Sequence, residues 1–375
     1  MRIAFYAPLK APDHAVPSGD RRMARLLTRA LAASGHEVAL ASRLRSFEGQ
    51  GDGDRQAAIR AAGTAEAEAL IAGWRAAGPA ARPQAWLTYH LYHKAPDWIG
   101  PAVCAALAIP YLVVEASFAP KRAGGPWAEG HDAVAAALAA AAVVLAPIAD
   151  DVPCLRPRLR SGAHLLRLAP FLDPAPYRAA RRRRAVHRAA LATRHGIDPE
   201  PPWLLVVAMM RDGDKRASYR LLGAALDALA AKDWRLLVVG DGPARAAVAA
   251  ALPVGTVFAG AQAPEDLAPF YAATDVFVWP AVNEAYGMAT LEALASGLPV
   301  VAGRVPGVAE LVADDGVLVP PDDAAGFATA LGDLLADPAR RAALGRAAAR
   351  RVTRDHAISG ATATLDRALA LALAS

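Results

Sequence analysis

Cysteine is nearly absent from this sequence: Cys104 and Cys154 are the only two in 375 residues. They form no C-x-x-C pair and no disulfide framework, and they read as reduced thiols of a cytosolic protein. Long apolar runs are missing too. The most apolar, from Val134 to Ala149, spans 16 residues, short of the ~20 that cross a bilayer. It reads as a buried helix followed by the strand AVVLAP. The opening MRIAFYAP is a strand pattern without the basic-then-apolar form of a signal peptide. The histidines show no ligand spacing, so no metal site and no cofactor is expected. Charged residues make up 21% and apolar residues 55% of the chain, which excludes a disordered polyelectrolyte. The length suits two domains of ordinary size.

The net charge of +5 is partly clustered, in Arg181 to Arg184 and in Arg156, Arg158 and Arg160. One reading is attraction to an anionic membrane, with the protein peripheral on its inner face. The other is a solvated helix face or linker. No recognition motif accompanies the charge, so nucleic acid is not expected as a partner.

Short β-branched runs alternate with Ala/Leu-rich helical stretches. Strands are expected at 2–7, 37–41, 85–89, 111–115 and 143–146, then at 203–209, 235–239, 256–259, 276–279 and 299–302. Their near-continuous apolar character is that of strands covered on both faces. The fold class is therefore α/β, two Rossmann-like doubly wound domains facing across a cleft. The Pro- and Arg-rich stretch 174–184 breaks the pattern. An N-terminal domain over 1–178 and a C-terminal domain over 179–355 follow, with a last helix over 356–375 packing back on the first domain.

The segment Trp279 to Glu292, W-P-A-V-N-E-A-Y-G-M-A-T-L-E, carries the most chemistry. A strand runs into a loop that ends at Gly287, and a helix starts at Met288. Free N–H groups at Met288 and Ala289 and the positive end of the helix dipole suit a diphosphate. Gly287 permits close backbone approach. Glu292 lies about 6 Å further along the axis, within reach of a ribose attached to that diphosphate. Glu284, in the loop, faces the sugar side. A carboxylate inside a helix as apolar as Leu291 to Ala295 needs partners, and ribose hydroxyls would serve.

This segment resembles the E-x7-E motif of retaining GT-B glycosyltransferases of the family 4 type. The blocks at 293–301, 305–312 and 316–320, Gly240 to Pro243, Phe258 to Gly260 and Glu265 to Leu267 fit the same family. The resemblance is dense over 203–323 and looser before it. It implies transfer of a sugar from a nucleotide-diphosphate sugar, UDP- or GDP-linked, to a hydroxyl acceptor that is a sugar, lipid-linked or small molecule. The reaction would need no metal and retain the anomeric configuration. It gives Arg211 and Lys215 the role of stabilising the departing diphosphate, with Arg216 as an alternative to Lys215. Base discrimination falls to the backbone near Gly260 and Gln262. Gly19, in Pro17-Ser18-Gly19-Asp20, matches the family's glycine-rich loop near the donor.

The family often has a histidine near the transferred sugar after an N-domain strand. Here the matching strand ends Val114-Glu115-Ala116-Ser117. Glu115, His90 and His93 are the candidates for that role. Lys121 and Arg122, in a glycine-rich turn ending at Trp127, are expected in a mobile loop beside the acceptor. Asp52-Gly53-Asp54 and Asp212-Gly213-Asp214 have the D-x-D form of metal–diphosphate sites. The first lies in a polar loop and the second among cations, which argues against that use. Two rival readings stay open, a GT-B-like nucleotide-sugar epimerase and a non-catalytic nucleotide-sugar-binding scaffold.

Overall fold

The structure, a computed structural model, describes every residue except Pro17, Lys232 and Ser375. The chain forms two units, one of residues 1–171 and 358–375 and one of residues 172–357. The boundary falls after residue 171, where the sequence reading set it after 178.

The first unit runs β1 (Arg2–Tyr6), α1 (Gly19–Ala33), β2 (Glu37–Leu40), α2 (Gly53–Ala77), β3 (Ala85–Leu91), α3 (Gly100–Leu107), β4 (Tyr111–Ala116), α4 (Ala128–Ala140), β5 (Val143–Ala146), α5 (Val152–Leu155) and β6 (His164–Arg167). The second runs α6 (Ala175–Arg182), α7 (Arg184–His195), β7 (Trp203–Val207), α8 (Asp214–Ala228), β8 (Arg235–Val239), α9 (Arg245–Ala251), β9 (Val257–Gly260), α10 (Ala268–Ala273), β10 (Val276–Trp279), α11 (Met288–Ala295), β11 (Val300–Gly303), α12 (Pro306–Val312), β12 (Val317–Val319), α13 (Ala324–Ala336) and α14 (Pro338–Asp355). The last helix, α15 (Ile358–Leu373), returns to the first unit and packs on α1. Asp366 fastens it there, accepting from Ser34 Oγ at 2.6 Å and lying 3.1 Å from His36 Nε2.

Each sheet is parallel and six-stranded, in the orders β2-β1-β3-β4-β5-β6 and β12-β11-β10-β7-β8-β9. The central strands are buried on both faces, as their apolar runs require. Strands β6 and β12 escaped the sequence reading because they are short, half-exposed edges. Helix α2 escaped it as well, since only Gly63 and Ala67 of its 25 residues are buried and no apolar stripe marks it.

The 174–184 stretch is helical, which corrects the reading of it as a break. Tyr177 and Ala180 bury one face of α6 against α10. The arginine run is also largely structural. Arg181 donates to the carbonyls of Ser296 and Gly297, and Arg184 to those of Ala272 and Thr274. Arg184 and Arg188 grip opposite oxygens of Asp275 at 2.7 and 2.9 Å. Arg182 and Arg183 remain exposed, as do Arg156, Arg158 and Arg160. Among the described residues no helix is long and apolar enough to cross a membrane.

Asp97 organises the first unit's core. Its carboxylate is 3% exposed and accepts from Thr88 Oγ1, from Tyr111 Oη at 2.8 Å, and from the Ile99 and Gly100 N–H groups at 2.9 and 2.7 Å. Trp86 Nε1 donates to Thr88 Oγ1 at 2.8 Å, closing the network.

Gly223 lets α8 and α9 approach closely. A Cβ there would sit 1.8 Å from the Ala251 carbonyl oxygen. Gly223→Ala is therefore expected to lower the melting temperature, although alanine favours an isolated helix by about 1 kcal/mol. A rise in melting temperature would refute this packing.

Candidate functional site

In the second unit, the parallel sheet brings the ends of β7, β8, β9 and β10 to one edge. Beyond β10 the chain enters the loop 280–287, where Ala281, Asn283 and Gly287 all have left-handed backbone, at φ 59°, 52° and 75°. For the two non-glycines this costs about 1 kcal/mol or more each, so other contacts must hold the loop. They come from the first turn of α8. Ser218 Oγ accepts from the Val282 N–H at 3.0 Å, Asp214 accepts from Asn283 Nδ2 at 2.9 Å, and Lys215 Nζ donates to Glu284. Trp279 Nε1 donates to the same Glu284 oxygen at 3.3 Å, and the Lys215 ammonium lies 5.2 Å from the Trp279 ring centre.

Gly287 opens α11 without a side-chain cap, and the first N–H groups bonded back to its carbonyl are those of Thr290 and Leu291. The N–H groups of Met288 and Ala289 thus face outward from the helix start. Glu292 follows on α11 and is 2% exposed. Arg211, exposed just past β7, makes no side-chain hydrogen bond or ion pair among the described residues. Gly260, with φ 74°, ends β9, and its carbonyl accepts from the Gly240 N–H at 2.9 Å. Gln262 Nε2 folds back onto the Ala259 carbonyl at 2.7 Å.

Lys215 faces the loop, whereas Arg216 turns to Asp212 at 2.7 Å on the exposed side. The two D-x-D segments are both committed locally. Asp212 pairs with Arg216, Asp214 holds Asn283, and Asp52 caps α2 by accepting from the Arg55 N–H at 3.1 Å. Asp52 thus begins a helix, correcting its placement in a loop.

In the first unit a second cluster forms where β1, β3 and β4 end. Ser18 caps α1, accepting from the Arg21 N–H at 3.2 Å, and Gly19 follows at the helix start; Pro17 lies outside the described residues. His90 Nδ1 lies 3.1 Å from Asp20 Oδ1 and 3.6 Å from Glu115 Oε1. Both His90 and Glu115 have left-handed backbone, at φ 63° and 60°. Such strain in two neighbouring non-glycines is typical of functional sites.

Burial by itself would pull the His90 imidazole down, but Glu115 and Asp20 outweigh it and push it up to about 9. Burial also opposes ionisation of Asp20, and the bond to His90 overcomes it and holds that carboxyl low. Next to them, burial and then Glu115 push Asp151 up to about 6. Asp20 is absent from the sequence-derived candidates. Its neighbour Gly19 drew attention for its backbone, and no spacing rule links positions 20 and 90.

His93 belongs elsewhere. Its ring lies 5.8 Å from Trp127, and burial, then Arg122 and Lys94, pull it down to about 4. Lys121 and Arg122 are exposed in a short turn. The end of that segment is anchored. Trp127 Nε1 donates to the Glu48 carbonyl and carboxylate at 3.0 and 3.1 Å, and Lys94 sits 4.1 Å over the indole. Burial opposes the Glu48 charge, but the N–H groups of Gln50, Gly51 and Asp52 and the Trp127 indole prevail and lower its pKa.

Residues 201–337 match the family model described as glycosyl transferases group 1. The chain is 36% identical over 157 residues to a sulfoquinovosyl transferase of Arabidopsis thaliana, covering 40% of this chain and 30% of that protein. It is 35% identical over 189 residues to a D-inositol 3-phosphate glycosyltransferase of Kineococcus radiotolerans, covering 44% and 43%. The chain therefore spans less than half the length of these curated relatives. Among solved structures, Anabaena HepE in complex with UDP superposes with a TM-score of 0.74 at 13% identity, over 99% of this chain and 100% of that one. That likeness shows the GT-B fold.

Proposed function

We propose that this chain, whose residues 201–337 match the glycosyl transferases group 1 model and which has the GT-B fold, transfers a sugar from a nucleotide-diphosphate sugar to a hydroxyl acceptor. The carrying observation is the loop 280–287 clamped to the start of α8. It sets Lys215, Glu284, the open N–H groups of Met288 and Ala289, and Glu292 around one turn.

The diphosphate lies against the Met288 and Ala289 N–H groups, where backbone dipoles favour an anion. Glu292 takes the ribose hydroxyls. Arg211 and Lys215 supply the positive charge that stabilises the departing nucleoside diphosphate, so a metal ion is not required. While the donor is absent, Glu284 neutralises Lys215. Once the diphosphate arrives, the ammonium turns to it and Glu284 is released toward the sugar. Attack on the same face of the sugar, with retention, is the route that the family resemblance supports, and it assigns no covalent nucleophile. The acceptor meets the first unit at the carboxyl ends of β1, β3 and β4, where His90, Asp20 and Glu115 gather.

Thermal-shift titration with UDP, GDP and ADP, with EDTA present, tests the donor site. A nucleotide at 100 times its Kd should stabilise the chain by about 2.7 kcal/mol. Stabilisation by one base, surviving EDTA, is the expected result; no shift with any of the three would overturn the reading.

A further inference from the structure

We propose that Gly240 and Gly242 are positioning residues for Arg211: they let the turn after β8 close on the backbone that carries its guanidinium. The inference rests on the reading of Arg211 as a cation at the donor diphosphate, and it gives the Gly240-Asp241-Gly242-Pro243 block a task at the same site.

The backbone between β7 and Arg211 is held residue by residue. Past the strand ends, the Ala208 N–H donates to the Val239 carbonyl at 3.0 Å and the Met210 N–H to the Asp241 carbonyl at 2.9 Å. The Ala244 N–H then donates to the Met210 carbonyl at 3.0 Å, so one turn binds Met210 on both sides. Tyr219, wholly buried on α8, donates its hydroxyl to the Ala208 carbonyl at 3.0 Å. From the other direction, the Arg216 N–H donates to the Arg211 carbonyl at 3.1 Å. The main chain of Arg211 is thus fixed from both ends while its side chain stays exposed.

Only glycine fits beside that backbone. Gly240 and Gly242 have φ of 141° and 154°, which L side chains rarely adopt. A Cβ at position 240 would lie 1.9 Å from the Ala208 carbonyl oxygen, and one at 242 would lie 2.3 Å from that of Met210. Both obstacles are main chain, so neither can swing aside. Glycines that leave room for a ligand look different: at Gly213 and Gly260 an added Cβ meets nothing within 4 Å. An alanine at 242 must therefore push Met210, and with it Arg211, by about 1 Å to reach ordinary contact. Misplacing a group that acts on the reacting centre by that distance can cost about 10²-fold in rate.

A double-mutant cycle on the full chain provides the test, read as nucleotide release from UDP-glucose and GDP-mannose beside thermal melts. Gly242→Ala is expected to cut kcat by about 10²-fold, with the donor KM moving less, because Arg211 acts as charge develops on the leaving diphosphate. In the Arg211→Ala background the same substitution should cost at most about twofold, since the group it displaces is already gone. An undiminished kcat in Gly242→Ala would overturn the proposal, as would losses of equal size in the two backgrounds. Tyr219→Phe repeats the cycle without an added atom, so the test stands even where Gly242→Ala does not fold. It should cost about tenfold in the native background and nothing measurable beside Arg211→Ala; equal losses in both, or none in either, would again overturn the proposal. Thermal shift with nucleotide reads the donor site separately. Stabilisation by a nucleotide together with fully multiplying losses removes this inference alone, whereas no shift with UDP, GDP or ADP removes the transferase reading.

Discussion

Arg211→Ala is expected to cut donor turnover by about 10²–10³-fold while leaving the melting temperature essentially unchanged. The side chain is exposed and unpartnered among the described residues, so its removal disturbs no packing and leaves no buried group behind. Whatever it contributes is made with the ligand. Lys215→Ala should lower turnover similarly, but with a stability cost, because Glu284 then keeps only Trp279 Nε1 as a side-chain donor. Nucleotide release from UDP-glucose or GDP-mannose, measured with EDTA beside thermal melts, separates the two effects. Retention of full turnover in Arg211→Ala would move the diphosphate away from the end of β7.

Asp97→Ala should be the most destabilising single change in the first unit. It strands two hydroxyls and two N–H groups inside the core, each of which costs about 1–3 kcal/mol when left unsatisfied. Even at about 3 kcal/mol in all, a unit of this size should lose roughly 6–12 °C in melting temperature. Asp97→Asn should lose much less. One amide oxygen still serves the Ile99 and Gly100 N–H groups, and the Thr88 and Tyr111 hydroxyls can rotate to accept from the NH₂. Equal losses for Asn and Ala would mean that the carboxylate's charge, and not its hydrogen bonds, holds the site.

Several elements were legible because their information is contiguous. The apolar runs of β3, β7 and β10 need only their own residues to declare a buried parallel strand. The turn from Trp279 to Glu292 was equally plain, since strand, glycine and helix start follow in order. Exposed α2 and the half-exposed edge strand β6 were not legible, because periodicity records burial and these elements bury little. The arginine run misled for a related reason. An arginine that donates to carbonyls at the end of a helix reads, in composition, like one in solvent.

From the sequence by itself come the α/β class, the order of the buried strands, and the turn with Gly287, Met288 and Glu292. Each of these depends on residues close together in the chain, where spacing translates directly into geometry. Only the tertiary structure decided that Lys215 meets Glu284 across 69 positions and that Asp20 meets His90 across 70. Such pairs are set by the register of neighbouring strands and the loops that follow them. A charge carries no mark in sequence of the partner that will neutralise it, so pairing over that distance appears only once the sheet has brought the strand ends side by side.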